Sequence, residues 1–215
     1  MNKNILNTHI IGKAGSGKTF FASNQAASFL KEGKKVLYID YYRTETFSEV
    51  PNLVINPEVT FGGDFDNFKY EDFDKILKDF FAKNVSAKIS ILEGEFGDER
   101  TTRMCYFLSD FILKNKDIFS DYFIFIDEAS RFDHVKIEQL LSESKDSNIS
   151  YTLIHQYLDQ FSKEMTDELL KTCKNIIFKL SPSDISYIAT MYDLNPDVLS
   201  ALENYEYKEI GPLNK

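Results

Sequence analysis

The sequence predicts an α/β fold, a mostly parallel sheet with helices on both faces, and three observations carry that expectation. Short apolar runs alternate with stretches of helical period, the pattern of successive strand–helix units. A glycine-rich segment stands between the first apolar run and the first helical stretch. A later apolar run, Tyr122 to Ile126, ends abruptly in the acidic pair Asp127-Glu128.

Taken in order, Ile5 to Ile11 is the first predicted strand, and Lys18 to Lys31 is the first predicted helix. Gly33 is placed to stop that helix in a left-handed conformation. Val36 to Asp40, Lys88 to Leu92, Tyr122 to Asp127, Tyr151 to His155 and Ile176 to Leu180 read as further buried strands. Residues 71 to 82 place Phe73, Ile76, Leu77, Phe80 and Phe81 on one helical face, and Thr101 to Leu113 and Val135 to Leu141 read the same way. Ser181-Pro182 and Asn195-Pro196 look like helix starts, with proline in the first turn. Residues 43 to 67 read as loop with one short strand, Leu53 to Ile55. No linker, repeat or low-complexity stretch interrupts the chain, so residues 1 to 215 are expected to form one domain.

Composition narrows the class. A hydrophobic fraction of 43% with 27% charged residues excludes wholesale disorder. With 25 basic against 34 acidic residues the net charge is −9, which argues against a protein that coats nucleic acid generally. A local basic patch or a ring lumen stays open. The two cysteines, Cys105 and Cys173, lie far apart and form no CxxC, so neither a disulfide scaffold nor a zinc site is expected. No apolar run approaches the ~20 residues that span a bilayer, and no signal peptide opens the chain. A soluble, intracellular protein is the expectation.

The motif that decides the chemistry is Gly12-Lys13-Ala14-Gly15-Ser16-Gly17-Lys18-Thr19, a complete GxxxxGK[ST] phosphate loop between a strand and a helix. Its backbone N–H groups can converge on one anion, and the helix N-terminus adds positive potential there. Lys18 is expected on the β- and γ-phosphates of ATP and Thr19 on Mg²⁺, with the set from Gly12 to Thr19, extended to Phe20, contacting the nucleotide. Asp127 is expected in the metal shell and Glu128 as the general base that deprotonates an attacking water. Both are expected to face the loop from a neighbouring strand. The alternative for Glu128 is a first-turn acid of the next helix. Gln156, after the strand ending in His155, is placed to sense the γ-phosphate; a plain strand-end polar residue is the alternative. His155 reads equally as a satisfied buried histidine.

Arginines number four, Arg43, Arg100, Arg103 and Arg131. Arg100 and Arg103 follow a strand end and are candidates for a cation at the transferring phosphate. The competing reading is a pair of solvated charges at a helix start. Arg131 is placed to pair with Glu128 or Asp127.

The order of phosphate loop, Asp127-Glu128 strand and His155-Gln156 strand resembles the FtsK/HerA superfamily of DNA-pumping ATPases. Gln156-Tyr-Leu-Asp-Gln160-Phe and Cys173-Lys-Asn-Ile-Ile-Phe178-Lys-Leu-Ser-Pro-Ser-Asp184 are similar to the tails of conjugative coupling proteins and viral packaging ATPases. The resemblance implies a RecA-like sheet, a hexameric ring and double-stranded DNA threaded through it. It implies a cytoplasmic location, in a host cell or at a virion vertex, with capsid or vertex-membrane proteins as partners. The short motor looks most like the packaging ATPases of tailless double-jelly-roll viruses, with a stand-alone conjugative or defence motor next. One departure is Lys145, which stands where the family tends to carry an arginine and lacks the bidentate fork. It is the first candidate for a trans-acting cation, with Arg100 and Arg103 as its competitors and solvated pairing to Glu143 or Asp146 as the alternative.

Lys13 to Thr19 followed by Gly33 to Asp40 also resembles ParA/MinD-type partition switches, in which a lysine at the position of Lys13 reaches across a dimer. Glycine is usual there where this chain has Ala14, and that scheme has no ready place for Glu128 and Gln156. A nucleoside kinase would need an arginine-rich lid, which four arginines supply poorly.

Overall fold

The computed structural model describes residues 6–41, 47–48, 50–55, 69–91 and 98–213. The strands are β1 (Thr8–Ile11), β2 (Lys35–Asp40), β3 (Asn52–Ile55), β4 (Ala87–Ile91), β5 (Tyr122–Ile126), β6 (Ser150–His155), β7 (Lys174–Ile177) and β8 (Lys208–Ile210). The helices are α1 (Lys18–Lys31), α2 (Tyr70–Phe81), α3 (Asp98–Lys114), α4 (Lys116–Phe119), α5 (His134–Ser147), α6 (Lys163–Thr172), α7 (Pro182–Tyr192) and α8 (Pro196–Ser200). All eight strands join one sheet in the order β3-β4-β2-β5-β6-β1-β7-β8. Every pairing is parallel except β7 with β8.

Strand alternation divides the core. Leu37, Ile39, Ile89, Ile124, Ile126 and Leu153 point to the face packed by α2, α3, α5 and α6. Ile10, Val36, Tyr38, Phe125, Ile154 and Ile176 point to the opposite face, where Ala22 and Ala26 of α1 meet them. Small residues on α1 let that helix lie close to the sheet, so it carries the phosphate loop at a fixed height. Ile11, Ile177 and Leu180 pack with Ile188 and Leu199 at the β7 side.

Several boundaries moved for local reasons. β1 begins at Thr8 because Asn7 accepts from the Tyr151 N–H through its side chain and from the Lys174 N–H through its carbonyl. β7 spans Lys174–Ile177 rather than reaching Leu180, since the Lys179 carbonyl turns to accept the Lys13 N–H. α5 runs to Ser147, well past the expected Leu141; its polar last turns are closed by Asn148 in the left-handed region at φ 56°. Gly33 fills its expected stop, with φ 75° and its N–H donated to the Leu30 carbonyl. The sequence reading did not anticipate α6, capped by Ser162, nor β8, a short polar edge strand. Most of the 43–67 stretch lies outside the described residues, as do Leu92 and Arg43, but the strand expected within it is present as β3.

One expectation about topology is corrected. The strand bearing Asp127-Glu128 is not the neighbour of the phosphate-loop strand: β6 lies between β5 and β1. The parallel ladder therefore places Gln156 between the loop and the acidic pair.

Candidate functional site

The carboxyl ends of β1, β5 and β6 converge on one edge of the sheet, the usual ligand-bearing edge of an open parallel sheet. From β1 the chain enters the loop, where Gly17 sits at φ 106°, a left-handed conformation that a side chain would strain. Gly12 is packed so closely that an added Cβ would lie 2.6 Å from Phe178 Cβ. The Lys13 N–H donates to the Lys179 carbonyl at 2.9 Å, tying the loop to the end of β7. Ala14, Gly15 and Phe20 are exposed; Lys13, Gly17 and Thr19 are half-buried and Ser16 is fully buried. The Lys18 ammonium donates to the Lys13 carbonyl at 3.1 Å inside the loop. Burial lowers its pKa, while the charges of Glu128 and Asp127 act to hold its proton.

Thr19 Oγ1 donates to Asp127 Oδ2 at 2.9 Å, linking the start of α1 to the end of β5 across the intervening strand. Tyr38 OH reaches the same oxygen at 3.5 Å. Burial raises the Asp127 pKa to about 6; the Thr19 bond opposes this, and the nearby Glu128 and Asp40 add to it. Glu128 is left-handed at φ 51° and ψ 48°, an uncommon state for a residue with a side chain, and opens a short 3₁₀ turn at 129–131. It therefore does not begin a helix as a first-turn acid. Its N–H bonds the Asp127 side chain at 3.0 Å, and its carboxylate accepts from Gln156 Nε2 at 2.7 Å.

Gln156 is itself held. Gln160 Oε1 accepts from the backbone N–H groups of Gln156 at 2.8 Å and Tyr157 at 2.9 Å. His155 is fully enclosed, its Nδ1 on the Tyr157 carbonyl at 2.9 Å and its Nε2 on His9 Nε2 at 2.6 Å. His9 Nδ1 lies 2.7 Å from Asn175 Oδ1, so a polar chain crosses β6, β1 and β7. Burial lowers the pKa of His9 to about 4, and burial also holds that of His155 well below the usual histidine value. Gln160 and His9 went unassigned in the sequence. The signal for Gln160 was its spacing of four from Gln156; the signal for His9 was a polar residue inside an apolar strand.

The candidate cations separate. Lys145 is exposed in the last turn of α5, beside the amino end of β6. The length of β6, about 20 Å at ~3.3 Å per residue, therefore lies between it and its own chain's loop. Glu143 pairs with Lys116 instead of Lys145. Arg103 is exposed on α3, whose start follows the carboxyl end of β4, and its guanidinium lies 5.4 Å from the Phe107 ring centre. The side chain of Arg100 lies outside the described set. Arg131 stands 5.2 Å over the Tyr41 ring.

The donors fit a hard cation. Among the described residues no three His, Cys, Asp or Glu side chains cluster as a metal site. Mg²⁺ carried by phosphate and water needs only one or two protein oxygens, which Thr19 and Asp127 present side by side.

No protein-family model and no curated protein sequence matches the chain. Solved structures do. The genome-packaging NTPase B204 of Sulfolobus turreted icosahedral virus 2, bound to AMP, superposes with a TM-score of 0.63 at 11% identity, over 96% of this chain and 92% of that one. The chain has the fold of a P-loop NTPase. VirB4 of Thermoanaerobacter pseudethanolicus gives a TM-score of 0.68 at 14% identity, covering 95% of this chain and 86% of its own. The bacterial conjugative coupling protein TrwB gives 0.65 at 9% identity, covering 97% and 85%. Among the described residues, no helix of this P-loop fold is long and apolar enough to cross a membrane.

Proposed function

We propose that the chain is an ATP-hydrolysing motor that moves double-stranded DNA, working as a ring and most simply a hexamer. The observation that carries the reading is the Gln156–Glu128 contact at 2.7 Å, which links a strand-end amide to the acid placed as general base. Support for the cargo comes from the likeness to a genome-packaging NTPase and a conjugative coupling protein along nearly the whole chain.

In this reading the loop amides and Lys18 hold the triphosphate of ATP, and Thr19 and Asp127 hold Mg²⁺. The bound metal supplies charge neutralisation on the phosphate oxygens. Glu128 orients the attacking water and accepts its proton. Its left-handed backbone aims the carboxylate back toward the loop instead of along the strand. Gln156 holds that carboxylate in the resting state and exchanges partners when a γ-phosphate arrives, so the base is released only at a loaded site. A neighbouring subunit supplies a cation to the transferring phosphate, and Arg103 is better placed for this than Lys145 because it lies toward the loop-bearing edge.

Viral genome packaging, in the host cytoplasm or at a virion vertex with capsid or vertex-membrane proteins as partners, is the proposed process. A conjugative or defence motor shares the same site. The partition-switch reading gives Gln156 no role, and the Gln156–Glu128 bond weighs against it. The test is ATP turnover titrated with double-stranded DNA at low salt. Turnover should rise with DNA and the stimulation should fade steeply as salt is added. Turnover indifferent to DNA, with a nucleotide-dependent dimer on sizing, favours the switch.

A further inference from the structure

The carboxyl-terminal segment returns to the phosphate loop after α8, and its contacts there have no part in the chemistry above. The Tyr205 N–H donates to the Ser16 carbonyl at 2.8 Å, bonding this segment to the loop backbone. The Lys179–Glu203 ion pair at 2.9 Å fastens the same segment to the end of β7, whose Lys179 carbonyl already receives the Lys13 N–H. Tyr207 packs its ring on Phe21 and Phe178, with centroids 4.9 and 5.5 Å away, and so anchors the segment to α1 and the sheet.

Tyr205 itself is 68% exposed, although its backbone is held at a left-handed φ of 70°. Its ring lies against Gly17, where an added Cβ would come within 2.7 Å of Tyr205 Cδ1. Phe20, one residue beyond Thr19, is 59% exposed, and its ring stands perpendicular to that of Tyr205 with centroids 6.3 Å apart. Two large aromatic faces are thus kept in water at the rim of the loop that is read as holding a triphosphate. A strained backbone that presents an apolar ring to solvent makes sense where a flat partner covers it.

Building on the nucleotide reading, the geometry points to Tyr205 and Phe20 as the platform on which the base of the bound nucleotide stacks. The Tyr205 ring beside Gly17 and the Phe20 ring at right angles to it form an apolar corner that fits a planar heterocycle and not a phosphate. The occupant is the nucleobase of the ATP whose phosphates lie on the loop. Tyr205 then joins the carboxyl-terminal segment to the nucleotide, so the segment reports on occupancy.

The chain contains no tryptophan, which gives a direct probe. Tyr205→Trp carries the single indole of the protein, and its fluorescence should change on adding ATP but not on adding inorganic tripolyphosphate. By calorimetry, Tyr205→Ala should weaken ATP about tenfold or more while leaving tripolyphosphate unchanged, and Tyr205→Phe should bind ATP like the parent. Phe20→Ala should weaken ATP in the same selective way. If Tyr205→Ala weakens ATP and tripolyphosphate equally, the segment merely braces the loop and the platform is overturned. It is equally overturned if ATP affinity does not change. A parent protein that binds neither ligand overturns the nucleotide reading, and the platform with it.

Discussion

Replacing Gly12 by alanine tests the loop's geometry most directly. The added Cβ would sit 2.6 Å from Phe178 Cβ, 2.9 Å from Ser16 Oγ and 3.2 Å from the Lys179 carbonyl oxygen. Phe178 Cβ is fixed to the backbone and Ser16 is fully buried, so neither can swing away as a side-chain tip would. Relief requires β1 to part from the end of β7 or the loop to lift, either of which strains the Lys13–Lys179 bond. Overpacking of this kind costs typically 1–3 kcal/mol. A chain of this size loses about 2–4 °C of Tm per kcal/mol, so the expected drop is roughly 4–8 °C for the middle of that range. The loop displacement also removes nucleotide binding. Saturating ATP at about 100 times Kd stabilises a binding protein by about 2.7 kcal/mol, and the variant should lose that rise. Gly33→Ala is the control, because its φ is 75° but no atom lies within 4 Å of the new Cβ. It should lose only about 1–2 kcal/mol of left-handed strain and keep the full ATP response. Thermal unfolding with and without ATP reads both effects. A Gly12→Ala protein that melts with the parent and keeps its ATP shift refutes the packing argument.

Glu128→Gln should bind ATP with near-parent affinity but hydrolyse it at least about 10²-fold more slowly, as measured by single-turnover kinetics. Parent-like turnover would remove Glu128 from the role of base. Lowering the pH should destabilise the fold through His9: the folded state keeps it neutral down to about 4, whereas an unfolded histidine takes its proton near 6.5. Between pH 6.5 and 4.5 this amounts to roughly 2 kcal/mol lost, read from urea midpoints. The raised Asp127 pKa acts with the opposite sign below about 6, so the measurement belongs in an Asp127→Asn background. A flat profile there contradicts the neutral-histidine assignment. Finally, mixing Arg103→Ala with Lys18→Ala protein should restore some ATPase activity, since the first keeps an intact loop and the second an intact cation. Rescue of Lys145→Ala instead would reverse the order of the two candidates.

The strands and the loop were legible because their signals are local. Apolar runs such as Val36 to Ile39 and the GxxxxGK[ST] spacing need no tertiary knowledge. Gly33, Ser181 and Asn195 marked helix ends because capping is a short-range effect. Strand order was not legible, and the error followed directly: nothing in the residues around Asp127 says that β6 will come between it and the loop. β8 was missed because its residues, Lys208-Glu209-Ile210, are mostly polar and become a strand only by pairing with β7. The same limit applied to Tyr205 and His9. Their partners, Ser16 and Asn175, lie more than 150 residues away in sequence, so only the closed fold reveals what they touch.

The histidine chain has a consequence for how the sheet assembles. A parallel sheet of isoleucine, leucine and phenylalanine discriminates poorly between one alignment and another two residues away, because a two-residue slip returns every apolar side chain to its proper face. Along β1, such a slip would leave Ile10 still facing α1. It would also carry His9 away from Asn175, its partner across β7, stranding buried imidazole and amide groups at about 1–3 kcal/mol each. The correct alignment is thus the one in which the polar groups meet, and it also sets Gln156 level with the loop. The histidines act as an index mark between strands whose greasy faces alone would tolerate the wrong setting.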